Sequence, residues 1–78
     1  MREKRVFSIG QHESTGSGRL SVEFDGSPIT GYSPEEVYHR LIEAMKEFYP
    51  TPEEKFDIYF RWDCDTDSGQ RDKIWKPV

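Results

Sequence analysis

The chain reads as an α+β protein: a small antiparallel sheet of three to five strands, in the order β-β-(β)-α-β-(β), with one helix packed on one face. Three observations predict it. Leu20, Val22 and Phe24 alternate with Ser21 and Glu23, and Phe56, Ile58, Phe60 and Trp62 alternate with Asp57, Tyr59, Arg61 and Asp63. Both runs have the period of a half-buried strand. Between them, Val37, Leu41, Ala44, Met45 and Phe48 fall on one arc at helical spacing. Layering a helix on a sheet is the economical way to bury both faces.

The elements follow in order. Val6-Phe7-Ser8-Ile9 is a short strand, and residues 1–4 and 77–78 read as flexible ends of a single domain, 1–78. Gln11 to Gly18 is polar and glycine-containing, a hairpin loop leading to the strand at Leu20–Phe24. Asp25-Gly26 is a turn signal, and Pro28-Ile29-Thr30 suits an edge strand. The helix start is the sharpest signal in the chain. Ser33 can accept the N–H of Glu36, Glu36 can reach back to the N–H of Ser33, and Pro34 occupies the first helical position. Tyr32 and Val37 are spaced for a hydrophobic staple across that turn. The helix is expected to run to about Tyr49, where Pro50 stops it, with Glu36 and Arg40 paired on its wet side. Residues 51–55 read as one helical turn feeding the strand at Phe56. After the turn at Asp67–Gln70, Lys73-Ile74-Trp75 returns as a short strand. The open sheet face is expected to show Ser21, Glu23, Asp57, Tyr59, Arg61 and Asp63.

Composition narrows the function. The 78 residues are 33% hydrophobic and 14% aromatic, enough for a modest core built on a few large side chains. A single cysteine, Cys64, rules out an internal disulfide and fits a reducing, cytosolic setting. Neither a membrane span nor an apolar signal-peptide core is legible. The net charge of −4 is unevenly spread. Residues 1–5 and 71–76 are each net basic. Residues 53–67 pack Glu53, Glu54, Asp57, Asp63, Asp65 and Asp67 against Lys55 and Arg61. Such a segment repels phosphate backbones and attracts basic surfaces.

No catalytic pattern stands out. Asp63-Cys64-Asp65-Thr66-Asp67-Ser68-Gly69 resembles a calcium loop, but the glycine comes one residue late and the twelfth position is Ile74 rather than a bidentate carboxylate. His12, His39 and Cys64 match no zinc spacing. Gly16-Ser17-Gly18-Arg19 lacks the Lys-Ser/Thr of a phosphate loop. So short a chain also has little room to enclose a substrate pocket. The expectation is a non-enzyme without cofactor or bound metal. Tyr59 and Arg61 on a sheet could stack bases, but flanking aspartates and the want of a basic stripe argue against direct nucleic-acid contact.

The leading expectation is a protein-binding inhibitor. Its acidic residues Glu53, Glu54, Asp57, Asp63, Asp65 and Asp67 would dock on a partner's basic, nucleic-acid-binding surface, with Tyr59 and Trp75 as aromatic anchors. In size, charge and element order alone, the chain resembles small phage-encoded inhibitors, including anti-CRISPR proteins. That resemblance implies action by occupying a basic surface and carries over no residue. Two alternatives stand beside it: an interaction module or homodimer using the helix flank Tyr38, Ile42 and Tyr49, and a calcium-binding regulator using the loop at Asp63–Gly69.

Overall fold

The computed structural model describes residues 2–11, 18–62 and 74–77. Strand β1 (Glu3–Gln11) leads to the hairpin of β2 (Leu20–Phe24) and β3 (Ser27–Gly31). Helix α1 (Pro34–Met45) and the single turn α2 (Pro52–Lys55) follow, then β4 (Phe56–Trp62) and the short β5 (Ile74–Trp75). The sheet order is β3-β2-β1-β4-β5, with the helix on one face, so the α+β architecture read from the sequence is present.

The sheet is mixed rather than wholly antiparallel. β1 and β4 lie side by side and parallel, from Glu3 opposite Phe56 to Ile9 opposite Trp62. Alternation reports which side chains are buried but carries no strand direction, which is why the sequence could not supply it. Parallel neighbours require a long connection between them. Here it is the β2–β3 hairpin followed by the helical segment. This pairing also lengthens β1. Glu3, Lys4 and Arg5 are strand rather than frayed end, each registered on β4.

The β2–β3 turn is as the Asp-Gly pair promised. Asp25 and Gly26 have φ of 55° and 78°, the left-handed values of a two-residue hairpin turn, and Phe24 pairs with Ser27.

At the start of α1, Ser33 Oγ accepts the Glu36 N–H at 3.2 Å. Glu36 reaches one residue further back than expected, and the Tyr32 N–H donates to its Oε1 at 3.1 Å. The expected staple is absent. Val37 is fully buried while Tyr32 is 60% exposed, lying under the Arg19 guanidinium at 5.1 Å. The helix ends at Met45, earlier than expected. Phe48 and Tyr49 both donate to the Met45 carbonyl at 2.9 Å, a tight closing turn before Pro50. That turn swings Phe48 off the buried arc. It is 55% exposed and packs edge-to-face with Phe24, ring centres 5.7 Å apart. The core is Ile9, Val22, Val37, Leu41, Ile42, Met45, Phe56, Ile58 and Phe60.

Candidate functional site

Strand parity sorts the polar residues. On β4, Phe56, Ile58 and Phe60 are buried against the helix, so Asp57, Tyr59 and Arg61 point the other way. On β1 the same register brings Lys4 beside Asp57, Val6 beside Tyr59 and Ser8 beside Arg61. One step beyond the Phe60–Trp75 pair, Lys76 comes level with Tyr59. The open face therefore centres on Tyr59. The Lys4 ammonium lies 5.1 Å and the Lys76 ammonium 5.6 Å from the centre of its ring, within cation–π range. Lys76 Nζ also pairs with Asp57 Oδ1 at 2.8 Å. That bond holds the Asp57 carboxyl below its ordinary value and raises the Lys76 ammonium above its own. Arg61 Nη2 donates to Ser8 Oγ at 3.2 Å. Val6 is 40% exposed beside this cluster.

The helix side has the opposite sign. Residues 34–55 carry Glu35, Glu36, Glu43, Glu47, Glu53 and Glu54 against Arg40, Lys46 and Lys55. Arg40 and Lys46 are engaged locally, with Glu36 at 3.2 Å and Glu43 at 3.8 Å. Lys55 lies over the rings of Tyr49 and Phe56. An open groove of about 820 Å³ runs between β3 and α1, lined by Ile29 and Thr30, by the carboxylates Glu36, Glu43 and Glu53, and by the cations Arg40 and Lys46 that pair with the first two. Burial, and secondarily the Glu53 carboxylate, raises the Tyr38 hydroxyl above its usual value.

A second cleft, of about 400 Å³, opens where β1 and β2 part. Their pairing is confined to Gly10 opposite Ser21 and Gln11 opposite Leu20 among the described residues. Arg5, Phe7, Phe24 and Phe48 line the opening below. Arg5 lies 5.1 Å over the Phe56 ring, and its Nε is buried without a hydrogen-bond partner. Short as the chain is, its surface does form grooves of ligand size.

The acidic residues expected to act together fall on different sides. Glu53 and Glu54 are exposed on α2, with Glu53 on the helix-side groove, whereas Asp57 is on the open sheet face and paired. Asp63, Asp65 and Asp67, and the whole Asp63–Gly69 loop, lie outside the described residues, as do His12 and Cys64. Of the two anchors, Tyr59 is on the open face. Trp75 is half-buried, edge-on to Phe60 at 6.2 Å and tilted against Trp62 at 5.2 Å. The helix flank is not an exposed patch. Ile42 is a core residue at 5% exposure, and Tyr38 and Tyr49 pack on the core, Tyr49 edge-on to Phe56 at 4.9 Å.

Lys4 and Lys76 carry no local signal of a role in the sequence. One lies in a charged terminal stretch and the other follows the last turn signal, and nothing short of the strand pairing aligns them with Tyr59. Among the described residues no group of three or more His, Cys, Asp and Glu is disposed to hold a metal ion, and no helix is long and apolar enough to cross a membrane. No protein family, curated protein or solved structure matches the chain.

Proposed function

We propose that this chain is a non-enzymatic protein-binding protein, an inhibitor that docks its acidic helix side on the basic, nucleic-acid-binding surface of a target. The observation that carries this reading is the acidic excess of the helix side, six glutamates against Arg40, Lys46 and Lys55 over residues 34–55. Glu43 and Glu53 stand on the wall of the groove between β3 and α1, beside Arg40 and Lys46, and the half-buried Ile29 lines it. Apolar lining ringed by charge is the usual anatomy of a protein interface. The carboxylates would steer a basic partner and exclude acidic ones. Asp63, Asp65 and Asp67 would add to the same field if the chain brings them to that side.

The homodimer reading through Tyr38, Ile42 and Tyr49 is the weaker one, because Ile42 has little surface left to bury.

The test begins with a partner captured from lysate and purified. Association is measured at low and physiological salt, and the partner's own nucleic-acid binding is measured with and without this protein. Replacing Glu43, Glu47, Glu53 and Glu54 together by Gln should slow association about tenfold or more at low salt, and the parent should displace nucleic acid. Replacing Asp63, Asp65 and Asp67 by Asn tests their share separately. Equal association rates for the Gln variant and the parent, or a partner whose nucleic-acid binding is untouched, would overturn the reading.

A further inference from the structure

We propose that the open sheet face around Tyr59 is a second docking surface, and that its occupant is an acidic segment of a protein, carboxylates on Lys4, Arg61 and Lys76 with an apolar side chain against Val6. This face is distinct from the helix side, and charge complementarity points to its occupant. Among the described residues, Lys4, Arg61 and Lys76 converge on the strands around Tyr59, and the one aspartate there, Asp57, is bonded to Lys76, so Lys4 and Arg61 carry the net positive charge. Arg2 adds its charge near the same pair. Among the described residues the other acid of this face, Glu23, is two strands from β4, on β2.

The chain's net charge of −4 does not cancel this patch. The shortest dimension of the molecule is 20 Å, and at physiological salt charges beyond about 8 Å are largely screened. A ligand on the open face therefore senses the cations in front of it more than the helix carboxylates behind.

Two features favour a protein segment over single-stranded nucleic acid. The Tyr59 ring already lies near two ammonium groups, at 5.1 and 5.6 Å. A base stacking on the ring must compete with them, whereas carboxylates meet the lysines where they stand. Val6, 40% exposed beside Tyr59, offers an apolar contact of the kind buried at the middle of protein interfaces.

The probe is a fluorescein-labelled copolypeptide of glutamate and leucine, titrated with the full chain and read by anisotropy at physiological salt. Binding is expected, and it should weaken as salt is raised. Lys4→Glu, at an exposed strand end, should weaken it about tenfold. Tyr59→Ala should weaken it about thirtyfold if the ring is an anchor, and Tyr59→Phe should keep most of the affinity. Denaturant midpoints of each variant establish that the fold is retained, and Lys4→Glu carries the test if Tyr59→Ala does not fold. Glu47→Gln with Glu54→Gln, on the helix side, should leave probe binding unchanged at this salt. No binding, or binding indifferent to Lys4→Glu, overturns the proposal. So does tighter binding of an oligothymidylate than of the copolypeptide, which would make the face a nucleic-acid surface.

Discussion

Gly31→Ala probes the seat of the helix, on which the whole acidic side depends. Gly31 is buried at the end of β3, where the chain turns into α1. A Cβ built there would stand 3.0 Å from the backbone nitrogen of Val37 and 3.1 Å from both Cβ and Cγ of Glu36. None of these atoms is free to withdraw. The Val37 nitrogen makes the first helical hydrogen bond, to the Ser33 carbonyl at 3.0 Å. Glu36 is held at both ends, its N–H on Ser33 Oγ and its carboxylate on the Tyr32 N–H. Overpacking of this kind costs about 1–3 kcal/mol. Against it stands the smaller entropy of an unfolded alanine, worth about 0.4–1 kcal/mol. A net loss of about 1–2 kcal/mol is expected. At roughly 4–8 °C per kcal/mol for a domain of this size, the shift is easily seen in a thermal or denaturant melt. Gly26 supplies the contrast. It has open space around it and a left-handed φ of 78°, so Gly26→Asn should be nearly neutral and Gly31→Asn much worse than Gly31→Ala. A Gly31→Ala melt that coincides with the parent's would mean that the helix does not sit against this residue.

The capping geometry predicts that Ser33→Ala costs about 1 kcal/mol, and coincident denaturant midpoints would contradict it. Ile42→Glu should unfold the protein or lower its midpoint severely, since it puts a charge at a position 5% exposed in the core. A stable, well-folded Ile42→Glu variant would show that this flank is surface after all. The Asp57–Lys76 pair carries a pH signature. Asp57 titrates below its ordinary value because of the Lys76 bond. Its contribution is complete above the unfolded carboxylate value and is lost as pH falls through the depressed one. NMR titration of Asp57 should show that depression, and Lys76→Ala should relieve it. An unchanged titration would dissolve the pair. The effect on stability is small, because the pair is exposed.

How much was legible turns on distance along the chain. The Asp25-Gly26 turn, the Ser33 cap and the single turn at 52–55 are local, and each was readable from a few adjacent residues. So was the burial of Phe56, Ile58 and Phe60, which alternation alone dictates. The parallel pairing of β1 with β4 joins residues more than fifty positions apart, and no local preference encodes it. From it follow the strand state of Glu3–Arg5 and the meeting of Lys4 with Tyr59, while the pairing of Asp57 with Lys76 follows from the equally non-local antiparallel pairing of β4 with β5. The short helix was misjudged for a different reason. Phe48 keeps the helical spacing, but the chain needs a closing turn before Pro50, and spacing cannot show where a helix begins to tighten.

Summing charge along a segment is blind to the side of the strand on which each charge falls. Residues 53–67 look like one acidic block, yet Glu53 stands on the helix-side groove and Asp57, four residues on, faces away beside Lys76. Among the described residues the two faces thus carry opposite signs, on a molecule whose shortest dimension is 20 Å. Their independence depends on salt, and this can be measured. At about 0.01 M salt the screening length is roughly 30 Å, longer than the molecule is thick, and at about 0.15 M it is roughly 8 Å. An acidic ligand approaching the open face at the lower salt feels the helix carboxylates through the protein, and at the higher salt it does not. Glu47→Gln with Glu54→Gln should therefore strengthen binding of the glutamate–leucine copolypeptide at the lower salt and leave it unchanged at the higher. Lys4→Glu should weaken it at both. If the Gln variant changes binding equally at the two salts, the helix carboxylates touch the ligand directly, and the two faces are not separate surfaces.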